Sequence, residues 1–192
     1  MLVLVLWFGS QGSFDILVVA HDAQGGSTAL IWAALNGRMS TVALLLENGV
    51  SVDHADEFGS TALVAAAHNG HTSTVALLLE KGTSVDHADM HGSTALIWAS
   101  RNGHTSTVAL LLEKGASVDL VNVHGSMALA WAANNGCMST VALLLEKSAS
   151  VDQANQDIST ALIWTARKGH INTVALLLRK GASVAQADEG GH

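Results

Sequence analysis

Ten histidines, sixteen acidic residues and one cysteine are the groups in this 192-residue chain that could run a reaction or hold a metal. Zinc takes nitrogen or sulfur donors at about 2 Å in a tetrahedral set. His91 and His124 occupy matching places in a self-similar chain, a helix-packing distance of ~10 Å apart. One ion cannot bridge that gap, and His87 with His91 brings no third ligand. Nucleophilic catalysis needs a serine or cysteine beside a base, and acid–base work needs paired carboxyls in a cleft. Neither arrangement is legible, and no phosphate-binding loop occurs. The recurring Gly-Ser pairs read as turn signals, and Cys137 as a small apolar residue instead of a nucleophile. No catalytic residue, no metal and no cofactor is expected.

The charge balance is −7, without a cluster of Lys and Arg. Phosphate backbones are bound by such clusters, so nucleic acid is not an expected partner. A single cysteine rules out a disulfide framework and fits a reducing compartment. The cytoplasm is the expected location, the nucleus next and secretion the least expected. The longest apolar run is Leu2 to Phe8, far short of the roughly 20 residues a spanning helix needs. It supports at most a weak peripheral contact with a membrane.

What positions these residues is a repeat. The tract Gly-Ser-Thr-Ala-Leu begins at Gly26, Gly59 and Gly92, and recurs altered at Gly125 and Ile158, always 33 residues on. Thr-Val-Ala-Leu-Leu-Leu begins at Thr41, Thr74, Thr107, Thr140 and Thr173 with the same period. Each unit predicts two helices and a turn. The first helix is capped by Thr28, Thr61, Thr94 or Thr160, whose hydroxyls can satisfy a free N–H. It stops at Gly37, Gly70, Gly103, Gly136 and Gly169. The second helix covers tracts such as Thr72 to Lys81, with Val75, Leu78 and Leu79 on one face. A turn or hairpin such as Ser84–Asp89 leads to the next unit. One unit cannot bury its apolar face alone, so the units must stack.

The unit resembles the ankyrin repeat. In one repeat Asp56, Gly59, Thr61, Leu63, Ala66, Ala67, Gly70, His71, Val75, Leu78, Leu79 and Gly82 match that family's motif. In the next, Asp89, Gly92, Thr94, Leu96, Ala99, Gly103 and His104 match. The resemblance implies an all-α ankyrin-type solenoid of five 33-residue helix-turn-helix repeats, with connecting hairpins. It covers residues 22–188, with repeat cores beginning near 26, 59, 92, 125 and 158. Residues 1–21 stand out of register, and Leu2 to Phe8 could pack as a strand or short helix over repeat 1; residues 189–192 form a tail. His71, His104 and His170 hold the motif's Gly-His place, which implies a structural role. The motif's Pro is Ala here, at Ala29, Ala62, Ala95, Ala128 and Ala161. Its turn-tying His is Ile31, Val64, Ile97, Ala130 and Ile163, which implies a less firmly tied hairpin. Trp32, Trp98, Trp131 and Trp164 follow and read as filler between repeats.

The family resemblance also implies a binding module for a partner protein, on a concave face of hairpin tips and first helices. Positions that vary between repeats cluster there. The tips carry Glu57, Phe58, Met90, His91, Val123, His124, Gln156 and Asp157, and the helix ends carry His68, Arg101, Asn134 and Arg167. Apolar residues beside Arg have the composition of a binding hot spot. The sequence does not name the partner. A structural alternative is head-to-tail stacking through an uncapped last repeat, whose helix carries Val174, Leu177 and Leu178. Repeat 4 reads as the weak unit: Met127 replaces the capping Thr, Ser148 the helix-ending Gly, and Ala130 a branched core residue.

Overall fold

The computed structural model describes residues 28–184 and two short strands, β1 (Trp7–Phe8) and β2 (Phe14–Asp15), paired antiparallel. The expected packing of Leu2 to Phe8 over repeat 1 falls, beyond that pairing, outside the described residues, as does the tail. Ten helices follow in five pairs: α1 (Ala29–Leu35) with α2 (Met39–Glu47), α3 (Ala62–His68) with α4 (Thr72–Glu80), α5 (Ala95–Arg101) with α6 (Thr105–Glu113), α7 (Ala128–Asn134) with α8 (Met138–Glu146), and α9 (Ala161–Lys168) with α10 (Ile171–Arg179). Odd-numbered helices pack in one row and even-numbered helices in a second, so the fold is an all-α repeat solenoid.

Local chemistry sets each boundary. Thr28, Thr61, Thr94 and Thr160 are extended, and each hydroxyl accepts the N–H three residues on, at 3.3–3.4 Å. This satisfies a donor that no helical carbonyl can reach. Ala34, Ala66, Ala67, Ala99, Ala132 and Ala133 are wholly buried and let neighbouring first helices approach closely. Val42, Val75, Val108 and Val141, with Leu78, Leu111 and Leu144, fill the core between the rows. Two hydroxyl pairs cross between repeats, Thr72 with Thr107 at 2.8 Å and Thr105 with Thr140 at 2.9 Å.

The units are also tied by bonds from each motif histidine to the repeat before it. His71 Nε2 lies 3.0 Å from the Leu35 carbonyl, His104 from that of His68, and His170 from that of Asn134. Each imidazole crosses the glycine that ends the preceding first helix. A Cβ on Gly37 or Gly70 would stand 2.6 or 2.5 Å from the ring, so that place requires glycine twice, for space and for its left-handed φ of 64° or 71°. In the loops, Asp86, Asp119 and Asp152 accept the backbone N–H of Ser117, Ser150 and Ser183 at 2.9–3.0 Å.

Repeat 4 departs as its sequence predicts, with one correction. Met127 makes no capping bond. Ser148 is left-handed at φ 67°, where a non-glycine residue costs roughly 1–2 kcal/mol. The Met127 side chain is buried, however, 1% exposed among the largest core groups. Burying a Met contributes about 1.5–3 kcal/mol, more than the ~1 kcal/mol of a lost cap. A second strained residue lies in repeat 5: Ile158, branched at Cβ, sits at φ 57°. Ser148→Gly and Ile158→Gly should each stabilise by ~1 kcal/mol, shifting Tm up by about 2–4 °C. Met127→Thr should lower it. Calorimetry that finds Met127→Thr stabilising, or neither glycine variant so, contradicts this balance of terms.

Candidate functional site

The turns are built on one repeated device. Asp89 Oδ1 accepts the backbone N–H of His91 and of Ser93, both at 2.9 Å. Asp56, Asn122 and Asn155 hold their own turns through the same pair of bonds, at 2.8–3.1 Å. Such an Asx turn closes the chain through the side chain. The tips then bond to one another: Met90 N–H donates to Phe58 O at 2.8 Å, Val123 to His91 at 2.9 Å, and Gln156 to His124 at 3.1 Å. Every tip residue singled out from the sequence is exposed: Glu57, Phe58, Met90, His91, Val123, His124, Gln156 and Asp157. Phe58, Met90 and Val123 are exposed by half or more.

The tryptophans correct the sequence reading. Trp32 is 43% exposed and Trp98, Trp131 and Trp164 are half-buried; of the four only Trp131 packs against the core, so the others are not core filler between repeats. All four line a groove between the turns and the first helices. Trp98 Nε1 donates to Asp89 Oδ2 at 2.8 Å, fastening helix α5 to its turn. The expected loosening of the hairpin, from the absent turn-tying His, is offset there by this bond. Repeat 4 has Asn122 in place of that aspartate, and Trp131 Nε1 is buried without a partner. The helix-end residues decorate the rings. His68 packs on Trp98 with centroids 4.9 Å apart. The Arg101 guanidinium lies over both Trp98, at 5.1 Å, and Trp131, at 4.5 Å. Arg167 lies 5.7 Å over Trp164.

Three cavities follow one another along this groove. The largest, about 380 Å³, brings Phe58, His68 and His91 together with Trp32, Trp98, Asp56 and Asp89. The next, about 250 Å³, gathers His91, Arg101 and His124 around Trp98 and Trp131. The third, about 230 Å³, is lined by Asn134 with Trp131, Trp164 and Lys168. Glu57, Met90, Val123, Gln156, Asp157 and Arg167 line none of the three. The tryptophans and the two aspartates are the groove residues that sequence reasoning missed. Their signal was present: four repeats carry Trp where repeat 2 has Ala65.

Cys137 stands in the place of the motif histidine, its sulfur 4.0 Å from the Arg101 carbonyl. Burial pushes its thiol above the ordinary range, which keeps it protonated and unreactive at neutral pH. Among the described residues no group of three or more His, Cys, Asp or Glu is placed to hold a metal, and no helix is long and apolar enough to cross a membrane. A family model for ankyrin repeats, in three copies, matches residues 30–122 and 114–188. No curated protein matches the chain.

The geometry fixes two expectations. Asp89→Asn should leave its turn intact, because Asn122 makes the same two bonds one repeat on. Asp89→Ala should cost about 2 kcal/mol more, because it leaves the two turn N–H groups unpaired, whereas the Trp98 indole loses its acceptor in both variants. Equal unfolding midpoints for the two variants would contradict the role of the Asx turn. Alkylation of Cys137 should be slow at pH 7 and accelerate above the pH at which an exposed cysteine does. Reaction in the folded protein as fast as in denaturant would contradict the raised pKa.

Proposed function

The chain belongs to the ankyrin repeat family, whose repeats are generally protein–protein interaction modules, and from that premise we propose that it is a non-catalytic scaffold holding a partner protein in the groove between turn tips and first helices. It acts as an adaptor or an inhibitor-like binder. The observation that carries this reading is the groove itself: three cavities walled by tryptophans, the largest also lined by exposed Phe58, with exposed Met90 and Val123 on the turn tips bonded to lining residues Phe58 and His91. Large rings and an Arg held in place lose little freedom on binding, and such residues dominate interface energies. Exposed apolar groups along one edge mark interaction sites. With a partner recovered by pulldown, Phe58→Ala and Arg101→Ala should each weaken binding by at least ~1 kcal/mol, with little change in Tm. Unchanged affinity in both variants moves the site off the groove.

Head-to-tail stacking is the second reading, and one observation favours it. In α10, Ile171 is 78% and Leu178 is 44% exposed. Thr72 and Thr105, at the place of Ile171, each reach the following repeat, so this place faces the end of the stack. Leu177, singled out from sequence as a contact, is instead fully buried and belongs to the core. The turn side opposes stacking. A Cβ at Gly59, Gly92 or Gly125 would lie 3.0–3.1 Å from the next turn's backbone nitrogen, and Ile158 fills that place in repeat 5. Light scattering across a concentration series separates the readings. Association abolished by Leu178→Lys supports stacking; a monomer at every concentration ends it.

A further inference from the structure

The groove is a ladder of tryptophans with one rung missing. Trp32, Trp98, Trp131 and Trp164 recur at one place of the first helix, and repeat 2 has Ala65 there. The missing ring leaves the largest of the three cavities, about 380 Å³, walled by Trp32 on one side and Trp98 on the other. One repeat along, the chain shows what such a space takes. Between Trp98 and Trp131 it places its own guanidinium, that of Arg101, 5.1 and 4.5 Å from the two rings. His68 holds the corresponding place in repeat 2; its shorter side chain packs on Trp98, and no guanidinium stands between the walls there.

We propose that the cavity over Ala65 receives an arginine side chain from an exposed segment of the partner protein. This inference rests on the groove being the binding surface. Charge complementarity selects the guest. The carboxylates lining the cavity are Asp56 and Asp89, the lining contains no Lys or Arg, and the chain as a whole carries −7. Its remaining titratable groups are His68 and His91. Asp89 accepts three N–H groups, two on Oδ1 and one on Oδ2. A carboxylate offers about four accepting sites, so Oδ2 retains one beside the Trp98 ring. A guanidinium can stack on the indole and donate to that oxygen at once, because it is planar and carries donors around its edge. A lysine ammonium offers the charge without the plane, and a tryptophan the plane without the charge.

The test uses a blocked Gly-Arg-Gly tripeptide and its citrulline, lysine and tryptophan counterparts, titrated into the full chain while the indole N–H resonances are followed. The arginine peptide should shift Trp32 and Trp98, and the citrulline peptide, neutral but of the same shape, should bind at least ~5-fold more weakly. Asp89→Asn, which keeps the turn that Asn122 also makes, should weaken the arginine peptide by a similar factor. Ala65→Trp, which restores the rung, should abolish its binding while the other indoles keep their shifts. Equal binding by any of the three counterparts overturns the proposal, as does arginine binding that survives Ala65→Trp. No response to any peptide, with a recovered partner still bound by Asp89→Asn and Ala65→Trp and released by Arg101→Ala, overturns the arginine guest and leaves the groove as the binding surface. Release of no partner by any groove variant is the failure of the groove reading itself.

Discussion

The stack depends on a hydrogen bond that reaches back 36 residues. Each motif imidazole lies against the carbonyl that ends the first helix of the preceding repeat, and it must cross the helix-ending glycine to get there. That requirement fixes three things together. The place beneath the ring must be glycine, since a Cβ would stand well inside contact distance. The ring must be flat and carry a nitrogen at its far edge. Neighbouring first helices must also lie close enough for the ring to span them, and the wholly buried Ala34, Ala66, Ala67, Ala99, Ala132 and Ala133 leave room for that approach. Cys137 tests the rule from within the chain. Its sulfur reaches the same carbonyl only at 4.0 Å, a weaker tie in the repeat that also lacks its cap.

Most of the fold was legible because boundaries are written in residue types whose physics is local. Threonine caps, helix-ending glycines and the 33-residue period need no knowledge of a neighbour. The strained Ser148 was legible for the same reason. The tryptophans were not, because periodicity sorts faces only where one face is wet. In α3 every residue from Ala62 to Ala67 is buried, so an apolar residue on a first helix carries no label for the side it faces. Leu177 was misplaced through the opposite error: next to the partly exposed Leu178, it looks identical in sequence and differs only in which neighbour covers it. Asp56 and Asp89 were read as motif residues and so were not weighed as groove residues. Their backbone-facing oxygens do close the turn, and only the three-dimensional arrangement shows the other side lining a cavity.

Because the repeats are near copies, each acts as a control for the next. One change, aspartate at 89 to asparagine at 122, preserves the turn and changes the groove. Either side chain presents an oxygen to two backbone N–H groups, so the turn is indifferent to the change. The tryptophan is not. Trp98 has an anionic acceptor for its indole, whereas Trp131 has none and is buried unpaired. An unmade bond of this kind costs about 1–3 kcal/mol. The stacked Arg101 covers the Trp131 ring and supplies part of the compensation through its cation–π contact.

The same change divides the groove by charge. Toward repeats 1 to 3 its lining carries Asp56 and Asp89 and no Lys or Arg. From Arg101 onward the turn residue lining the groove is the neutral Asn122, and Arg101 and Lys168 line the cavities. A partner segment lying along the groove therefore meets opposite fields at its two ends. Tryptophan walls recur in every repeat but the second, and being uncharged they do not set like against like when a segment is reversed. The charged lining does, in two places at once, and such juxtapositions are what exclude wrong registers at interfaces. On the proposed reading of the groove as the binding surface, affinity is a property of the repeated tryptophans, and orientation a property of the few residues in which one repeat departs from the next.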